Sequence, residues 1–91
     1  MEFIIESNRI YTTDEKGTII AEITYPNLSD EKVVIKSTFV DNSLRGQGVA
    51  AKLTEMAYQE IKKHNKQAKV SCSYAAKWFA ENPEYQDILV K

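Results

Sequence analysis

The ten residues at positions 41–50, DNSLRGQGVA, decide the fold, because they join a strand-like segment to a helix-like segment. The preceding segment, Lys32–Val40, is rich in β-branched residues and predicts a single strand. Alternate residues of a strand face opposite sides, so one face of this strand is predicted to carry Val33, Ile35, Ser37 and Phe39. A strand that leads through a glycine-containing loop into a helix indicates a strand–helix–strand unit.

The segment after the loop changes from a period of two to a helical period. Apolar residues recur three and four positions apart, which predicts a helix over residues 46–65. Its apolar stripe consists of Val49, Leu53, Met56, Ala57, Tyr58 and Ile61. A short strand at Ala68–Cys72 and a second helix at Tyr74–Ala80 follow. Pro83 cannot continue that second helix, so it ends near Asn82.

The first third of the chain predicts a hairpin. Phe3–Thr13 and Thr18–Tyr25 have strand composition, and residues 14–17 between them have turn composition. With Lys32–Val40 these strands form an antiparallel meander, while the unit at 32–72 implies a right-handed crossover to a parallel neighbour. The predicted fold class is therefore α+β, with a small mixed sheet of meander and strand–helix–strand unit, in one domain over residues 1–91.

Length, composition and charge exclude several classes of protein. The chain has 91 residues, 43% of them apolar, and one cysteine, so no internal disulfide forms. No apolar run approaches the roughly 20 residues that cross a bilayer. The N-terminus has acids where a signal peptide has bases, so we expect a cytoplasmic protein without a membrane partner. A net charge of −1 does not indicate a nucleic-acid partner.

The loop has the chemistry of an anion site. The first N–H groups of a helix have no internal partner and lie at its positive end, and the loop glycines let a ligand approach the backbone. Arg45 adds a permanent positive charge, so the segment Arg45–Ala50 suits a phosphate or pyrophosphate. It lacks the Lys-Ser or Lys-Thr of a Walker A loop and the third glycine of a dinucleotide fingerprint. An ordinary turn that uses glycine for its shape is the structural alternative.

The spacing Arg45-x-x-Gly48-x-Ala50 resembles the Q/R-x-x-G-x-G/A signature of the GNAT superfamily, the acetyl-CoA-dependent N-acetyltransferases. The later segments Cys72-Ser73-Tyr74 and Asn82-Pro83 extend the resemblance to a branch of very short acetyltransferase-like proteins. It covers about residues 3–90. The resemblance implies a protein that binds acetyl-CoA as its co-substrate. Coenzyme A is the part of that molecule that carries the acetyl group.

The same resemblance implies where acetyl-CoA lies. The backbone around Phe39 and Val40 is expected to pair with the pantetheine arm, in a cleft where two strands splay apart near Cys72. The pyrophosphate is expected on the loop amides of Arg45, Gly46, Gln47, Gly48, Val49 and Ala50. Lys77, on the second helix, is a further candidate for contact with a phosphate of CoA.

Two residues are candidates for catalysis. Cys72 precedes a helix, where a thiolate is favoured, and could accept the acetyl group covalently. The resemblance implies that Tyr74 could protonate the departing CoA thiolate. The alternatives are that Cys72 is a small buried apolar residue and that Tyr74 packs against the sheet. Members of this branch often carry His-Thr-Glu-Val where this chain has Ser37-Thr38-Phe39-Val40, so the ionisable His and Glu are absent here. Glu22, on the second strand, is the nearest substitute for a general base.

Two functions remain open from the sequence. The first is acetyl transfer from acetyl-CoA to an amine or thiol acceptor, which is a small molecule or a protein. The second is a non-catalytic module that binds CoA or acyl-CoA. The thiol near the expected thioester favours the enzyme, whereas the missing strand carboxylate and the short chain favour the binding module.

Overall fold

The computed structural model describes residues 1–90, which form six strands and two α-helices. In chain order, the elements are β1 Ile4–Glu6, β2 Arg9–Thr13, β3 Ile19–Thr24, β4 Lys32–Ile35, β5 Ser37–Val40, α1 Val49–Lys63, β6 Gln67–Val70 and α2 Ser73–Glu81. Short 3₁₀ helices at Asn42–Leu44 and Pro83–Ile88 follow β5 and α2. No helix within the described residues is long and apolar enough to cross a membrane.

The predicted first strand, Phe3–Thr13, is two strands. A turn at residues 7–8 separates β1 from β2, and Asn8 adopts a left-handed backbone with φ of 66°. Asn8 holds this turn against the end of β3, because its C=O accepts from the N–H of Tyr25 at 2.9 Å and its side chain donates to the C=O of Tyr25 at 2.8 Å. Asparagine tolerates this conformation better than most residues, so a two-residue turn fits here.

The predicted third strand, Lys32–Val40, is also two strands, and the break falls at Lys36. β4 pairs in parallel with β6, whereas β5 pairs antiparallel with β3. The break changes the alternation of side chains, so the predicted face is wrong after Ile35. Ser37 and Phe39 are exposed, and Thr38 and Val40 are the half-buried residues of β5.

The α+β class, the antiparallel meander and the parallel strand–helix–strand unit are confirmed. The strands form a four-stranded antiparallel sheet in the order β1-β2-β3-β5 and a two-stranded parallel sheet of β4 and β6. The prediction placed both parts in one mixed sheet. They separate because β4 and β5, although consecutive in the chain, pair with different neighbours.

The core lies between the sheets and α1. Ile10 and Ile23 of the larger sheet, Ile35 of the smaller sheet and Leu53 of α1 are all fully buried. The predicted stripe of α1 is buried except for Met56, which lies at the margin of the core. The helix begins three residues later than predicted, because Gly46 and Gly48 both have positive φ and cannot be part of it.

Candidate functional site

A groove of about 500 Å³ opens where β5 leaves β4. Strand β5, the loop after it, the first turn of α1 and the first turn of α2 all contribute to its walls. Its lining consists of Thr38, Phe39, Val40, Asp41, Asn42, Arg45, Ala50 and Tyr74. The structure therefore brings two separate parts of the sequence to one cleft, the continuous stretch 38–50 and Tyr74.

One wall of the groove is an unpaired strand edge. The N–H of Asp41 donates to the C=O of Ile20 at 2.8 Å, and the register from Ala21↔Val40 to Thr24↔Ser37 continues from this pair. Hydrogen-bonded and non-hydrogen-bonded pairs alternate in an antiparallel ladder. The backbone groups of Phe39 are therefore directed at β3, while those of Thr38 and Val40 point to the opposite, open edge. An extended ligand could pair with that edge as a strand would.

The loop before α1 owes its shape to its two glycines. Gly46 and Gly48 have φ of 80° and 73°, a left-handed conformation that residues with a Cβ adopt only at a cost. A Cβ added at either position would meet no atom within 4 Å. The structure therefore requires glycine at these positions for backbone conformation, and steric crowding within the chain is not the reason.

The loop presents unpaired backbone donors. Helical bonding starts where the N–H of Lys52 donates to the C=O of Gly48 at 3.0 Å, so the preceding amides have no helical acceptor. The N–H groups without a hydrogen-bond acceptor in residues 1–90 include those of Gly46, Gly48, Val49, Ala50 and Ala51. The N–H groups of Arg45 and Gln47 are already used, by Asn42 at 3.2 Å and Leu44 at 3.3 Å.

The charges beside these donors are arranged for an anion. Arg45 is exposed at the rim of the groove and forms no ion pair within the described chain. Asp41, the only carboxylate of the lining, accepts hydrogen bonds from the Oγ and the N–H of Ser43, and these bonds hold the pKa of Asp41 below its usual value. The Asp41 carboxylate thereby fixes the start of the loop, and the Arg45 guanidinium remains available to a ligand.

Cys72, the N-cap residue of α2, does not itself line the groove but lies behind Thr38, which does. It was predicted to end a strand, but β6 ends at Val70, so the thiol belongs to the start of the helix. Its Sγ atom lies 3.5 Å from Oγ1 of Thr38, and its N–H donates to the C=O of Ile35 at 3.2 Å. The side chain is half-buried, and an apolar packing role alone does not account for its polar contacts.

The surroundings of Cys72 favour its thiolate. Burial raises the pKa of the thiol, but hydrogen bonding from the Thr38 hydroxyl and from the N–H groups of Ala75, Tyr74 and Thr38 outweighs burial and places the pKa below its ordinary value. The neutral thiol makes no cap hydrogen bond of normal geometry to the helix. The free amides at the start of α2 therefore act mainly on the ionised sulfur.

Tyr74 lines the groove and is not packed in the core, since its side chain is 38% exposed. Partial burial, the carboxylate of Glu81 and the neighbouring Cys72 raise the pKa of Tyr74. The phenol therefore keeps its proton at neutral pH and can donate it. Trp78 and Phe79, one turn later, are buried and pack edge to face at 5.0 Å, so they hold α2 on the core.

Some candidates lie outside the groove. Lys77 is exposed on α2 and does not line the groove, and Val49 is buried, so only its backbone N–H is available. Gly46, Gln47 and Gly48 lie in the adjoining loop. Glu22 forms a 2.6 Å salt bridge with Arg9. Because the Glu22 carboxylate is already paired with Arg9, the structure does not support the use of Glu22 as a general base.

Thr38 is a residue of the site that sequence reasoning missed. It is 34 positions from Cys72, and no local pattern connects the two. Only the change of alternation at Lys36 turns the side chain of Thr38 toward the thiol. Within residues 1–90, no group of three or more His, Cys, Asp or Glu side chains is arranged to hold a metal ion.

The family of the chain follows from comparison with known proteins. A family model described as GCN5-related N-acetyl-transferase matches residues 9–88. The chain therefore belongs to this family, and the membership predicted from the loop and the Cys72 segment is confirmed. No curated protein sequence gives a significant match.

Solved structures agree with this assignment. A GCN5-like protein from Staphylococcus aureus, solved by NMR in solution, is 30% identical with a TM-score of 0.81, and the match covers 98% of this chain and 87% of that one. Rv2747 from Mycobacterium tuberculosis, in complex with CoA, is 16% identical with a TM-score of 0.66, over 84% of this chain and 47% of that one. A GNAT family acetyltransferase from Elizabethkingia anophelis, with acetyl-CoA bound, is 14% identical with a TM-score of 0.62, over 82% and 51%.

The two ligand-bound proteins share the fold with this chain, which spans about half of their length. The protein from Staphylococcus aureus is matched over most of its length, so the two chains share nearly all of their structured elements.

Proposed function

We propose that this protein binds acetyl-CoA in the groove beside β5 and transfers the acetyl group to an amine or a thiol acceptor. The observation that carries the proposal is the order of groups along one groove. A cluster of unpaired amides beside Arg45 is followed by an open strand edge, and the thiol of Cys72, whose pKa is lowered, contacts Thr38 of that strand. Family membership supports an acyltransferase, and the CoA-bound structures from Mycobacterium tuberculosis and Elizabethkingia anophelis support the choice of ligand.

The pyrophosphate would bind at the loop. Five free N–H groups at the start of a helix form an anion site whose donors are fixed before the ligand arrives, so little entropy is lost on binding. Arg45 adds charge-assisted hydrogen bonds to the same oxygens. Gln47, whose side chain donates to the C=O of Ser43 at 3.4 Å, supports the conformation of the loop.

The pantetheine arm would lie along β5. Its amide groups would pair with the C=O of Thr38 and with the N–H and C=O of Val40, while the N–H of Thr38 faces the sulfur of Cys72. The side chain of Phe39, 48% exposed at the groove, offers an apolar surface to the methylene groups of the arm. An arm extended in this direction carries its thioester from the loop toward Cys72 and Tyr74.

The chemical step would begin at Cys72. The thiolate attacks the acetyl carbonyl, a bond forms between Sγ and this carbon, and the bond between the carbon and the sulfur of CoA breaks. CoA leaves as a thiolate and takes a proton from Tyr74 or from water. The acceptor amine or thiol then attacks acetyl-Cys72, which restores the Cys72 thiolate and releases one proton to solvent.

The covalent route suits the groups that the groove contains. Glu22 is paired with Arg9 and is not free to remove a proton from an amine. The first transfer, from one thiolate to another, needs no base at all, and a neutral amine can accept the acetyl group in the second transfer. The missing strand carboxylate, which favoured the non-catalytic binding module, is not needed on this covalent route.

Titration with acetyl-CoA, followed by backbone amide NMR, tests the placement. The expected shifts centre on Gly46, Gly48 and Val49 and extend along Thr38 and Val40. Residues near His64, at the opposite end of α1, serve as an internal control. Shifts confined to that end, or absent with saturating acetyl-CoA, would refute the placement.

A further inference from the structure

We propose that Thr38 is a positioning residue that holds the Cys72 sulfur at the open edge of β5 through its hydroxyl group. This inference rests on the proposed function and deepens it by assigning the residue that prepares the nucleophile. Oγ1 of Thr38 lies 3.5 Å from Sγ of Cys72, and this is a contact between two side chains that are 34 positions apart in the sequence.

The orientation of Thr38 follows from the strand break. Because the alternation changes at Lys36, Thr38 faces the interior of the cleft while Ser37 and Phe39 are exposed. Threonine is branched at Cβ, so its χ1 angle is restricted and its hydroxyl group stays aimed at the sulfur. The β5 backbone is in turn fixed by its pairing with β3. The sulfur therefore meets a donor on a rigid element.

The hydroxyl group can serve both forms of the sulfur. It accepts the weak hydrogen bond of the thiol, and after ionisation it donates its own proton to the thiolate. The backbone N–H of Thr38 stabilises the same ion, as do the amides of Tyr74 and Ala75 at the start of α2.

Hydrogen bonds, and not an ion pair, set the state of this thiol. The titratable group that faces it is the Tyr74 phenol, from α2. β4 contributes the carbonyl of Ile35, β5 contributes Thr38, and no charged side chain within residues 1–90 acts on the sulfur. Removal of one donor should therefore raise the pKa of the Cys72 thiol, because no neighbouring cation compensates for the lost hydrogen bond.

The test uses the single cysteine of the chain. The rate at which iodoacetamide alkylates Cys72, measured from pH 6 to pH 10, reports the thiolate without any need for CoA. In Thr38→Val, which keeps the shape and removes the hydroxyl group, we expect the profile to move up by about one pH unit, which is about tenfold less thiolate at neutral pH. Thr38→Ser should keep the wild-type profile, and Thr24→Val, one strand further away, is the matched control.

The acetyl-CoA reaction provides the second readout. Acetylation of Cys72 at pH 7 should slow in Thr38→Val by the same factor as alkylation, and Thr38→Ser should restore it. A Thr38→Val profile that superimposes on the wild type, or an equal shift in Thr38→Ser, would overturn the proposal. If Thr38→Val does not fold, as judged by circular dichroism, Thr38→Ala takes its place with the same expected shift.

The two proposals fail separately. If the wild-type protein binds acetyl-CoA but never forms the adduct, the covalent transfer fails, while an alkylation shift in Thr38→Val still supports the Thr38–Cys72 contact. If the adduct forms at an unchanged rate in a folded Thr38→Val, the role of Thr38 fails and the transfer stands.

Discussion

The N–H of Cys72 donates a 3.2 Å hydrogen bond to the carbonyl oxygen of Ile35, the last residue of β4 before the chain turns away into β5. The N–H of Ser71 donates to the same oxygen at 3.0 Å. These two bonds attach the start of α2 to β4 at the point where the two sheets separate. The same attachment therefore positions the Cys72 thiol and the start of α2, from which Tyr74 reaches the groove.

Gly48→Val should abolish acetyl-CoA binding while the protein remains folded. A β-branched residue at φ of 73° is strained by about 1–2 kcal/mol, so the loop would leave the conformation that presents its amides. Isothermal calorimetry measures the binding, and circular dichroism measures the fold.

Gly17→Val is the matched control for that variant. Gly17 has a similar φ of 84° but lies in the turn between β2 and β3, away from the groove. It should lose a comparable amount of stability and keep its affinity for acetyl-CoA. Equal loss of binding in both variants would show that general destabilisation, and not the loop, is responsible.

Arg45→Ala should weaken acetyl-CoA binding by about 1.5–3 kcal/mol, the usual contribution of a hydrogen bond to a charged group. Because the contact is ionic and exposed, the affinity of the wild type should fall with added salt more steeply than that of the variant. Lys77→Ala, which removes a cation outside the groove lining, should change affinity by less than about 1 kcal/mol. A larger effect at Lys77 than at Arg45 would place the phosphates on α2.

Tyr74→Phe should leave acetyl-CoA binding unchanged and slow the formation of acetyl-Cys72. We expect a loss of roughly tenfold to a hundredfold, the low end of general acid catalysis, because the CoA thiolate leaves readily. The raised pKa of Tyr74 keeps its proton in place at neutral pH. The wild-type rate should rise with pH through the thiol pKa and fall at alkaline pH as the phenol ionises, and the variant should lack that alkaline fall.

Asp87→Asn tests a contact that joins α1 to the C-terminal 3₁₀ helix. Asp87 accepts from Lys62 Nζ at 2.8 Å and from the Tyr58 hydroxyl at 2.8 Å, and these bonds lower the pKa of Asp87. Because the folded pKa lies below the unfolded value, the contact stabilises the protein above the unfolded pKa, near 3.9, and the stabilisation is lost as pH falls through the folded pKa.

Urea denaturation at several pH values measures that effect. The variant should be less stable than the wild type at pH 6 by a small amount, since both partners of the ion pair are about half-exposed. The difference should vanish near pH 2. A difference that is the same at both pH values would show that the Asp87 charge does not contribute. Glu84→Gln, which removes a neighbouring exposed carboxylate, should change little at either pH.

The sequence predicted the parts of the fold that depend on local pattern. The apolar stripe from Val49 to Ile61 has helical spacing, so α1 was expected close to its observed position. The two loop residues with positive φ are both glycine, the residue that adopts this conformation most readily. The loop could therefore be recognised from the sequence. The parallel pairing of β4 with β6 followed from the short helical crossover between them.

The strand break at Lys36 could not be predicted, because it has a tertiary cause. Residues 32–40 contain no glycine or proline and have strand composition throughout. They form two strands because β4 pairs with β6 while β5 pairs with β3. The contact between Thr38 and Cys72 depends on that break, so the sequence could not predict it either.

Intact-mass spectrometry of the protein with acetyl-CoA tests the central claim most directly. We predict a gain of about 42 Da, one acetyl group, that maps to Cys72, is absent in Cys72→Ala and disappears when an acceptor amine is added. Acetyl transfer to the amine that continues undiminished in Cys72→Ala would contradict the covalent route. Binding of acetyl-CoA with neither adduct nor transfer would contradict the enzyme and leave a protein that only holds the coenzyme.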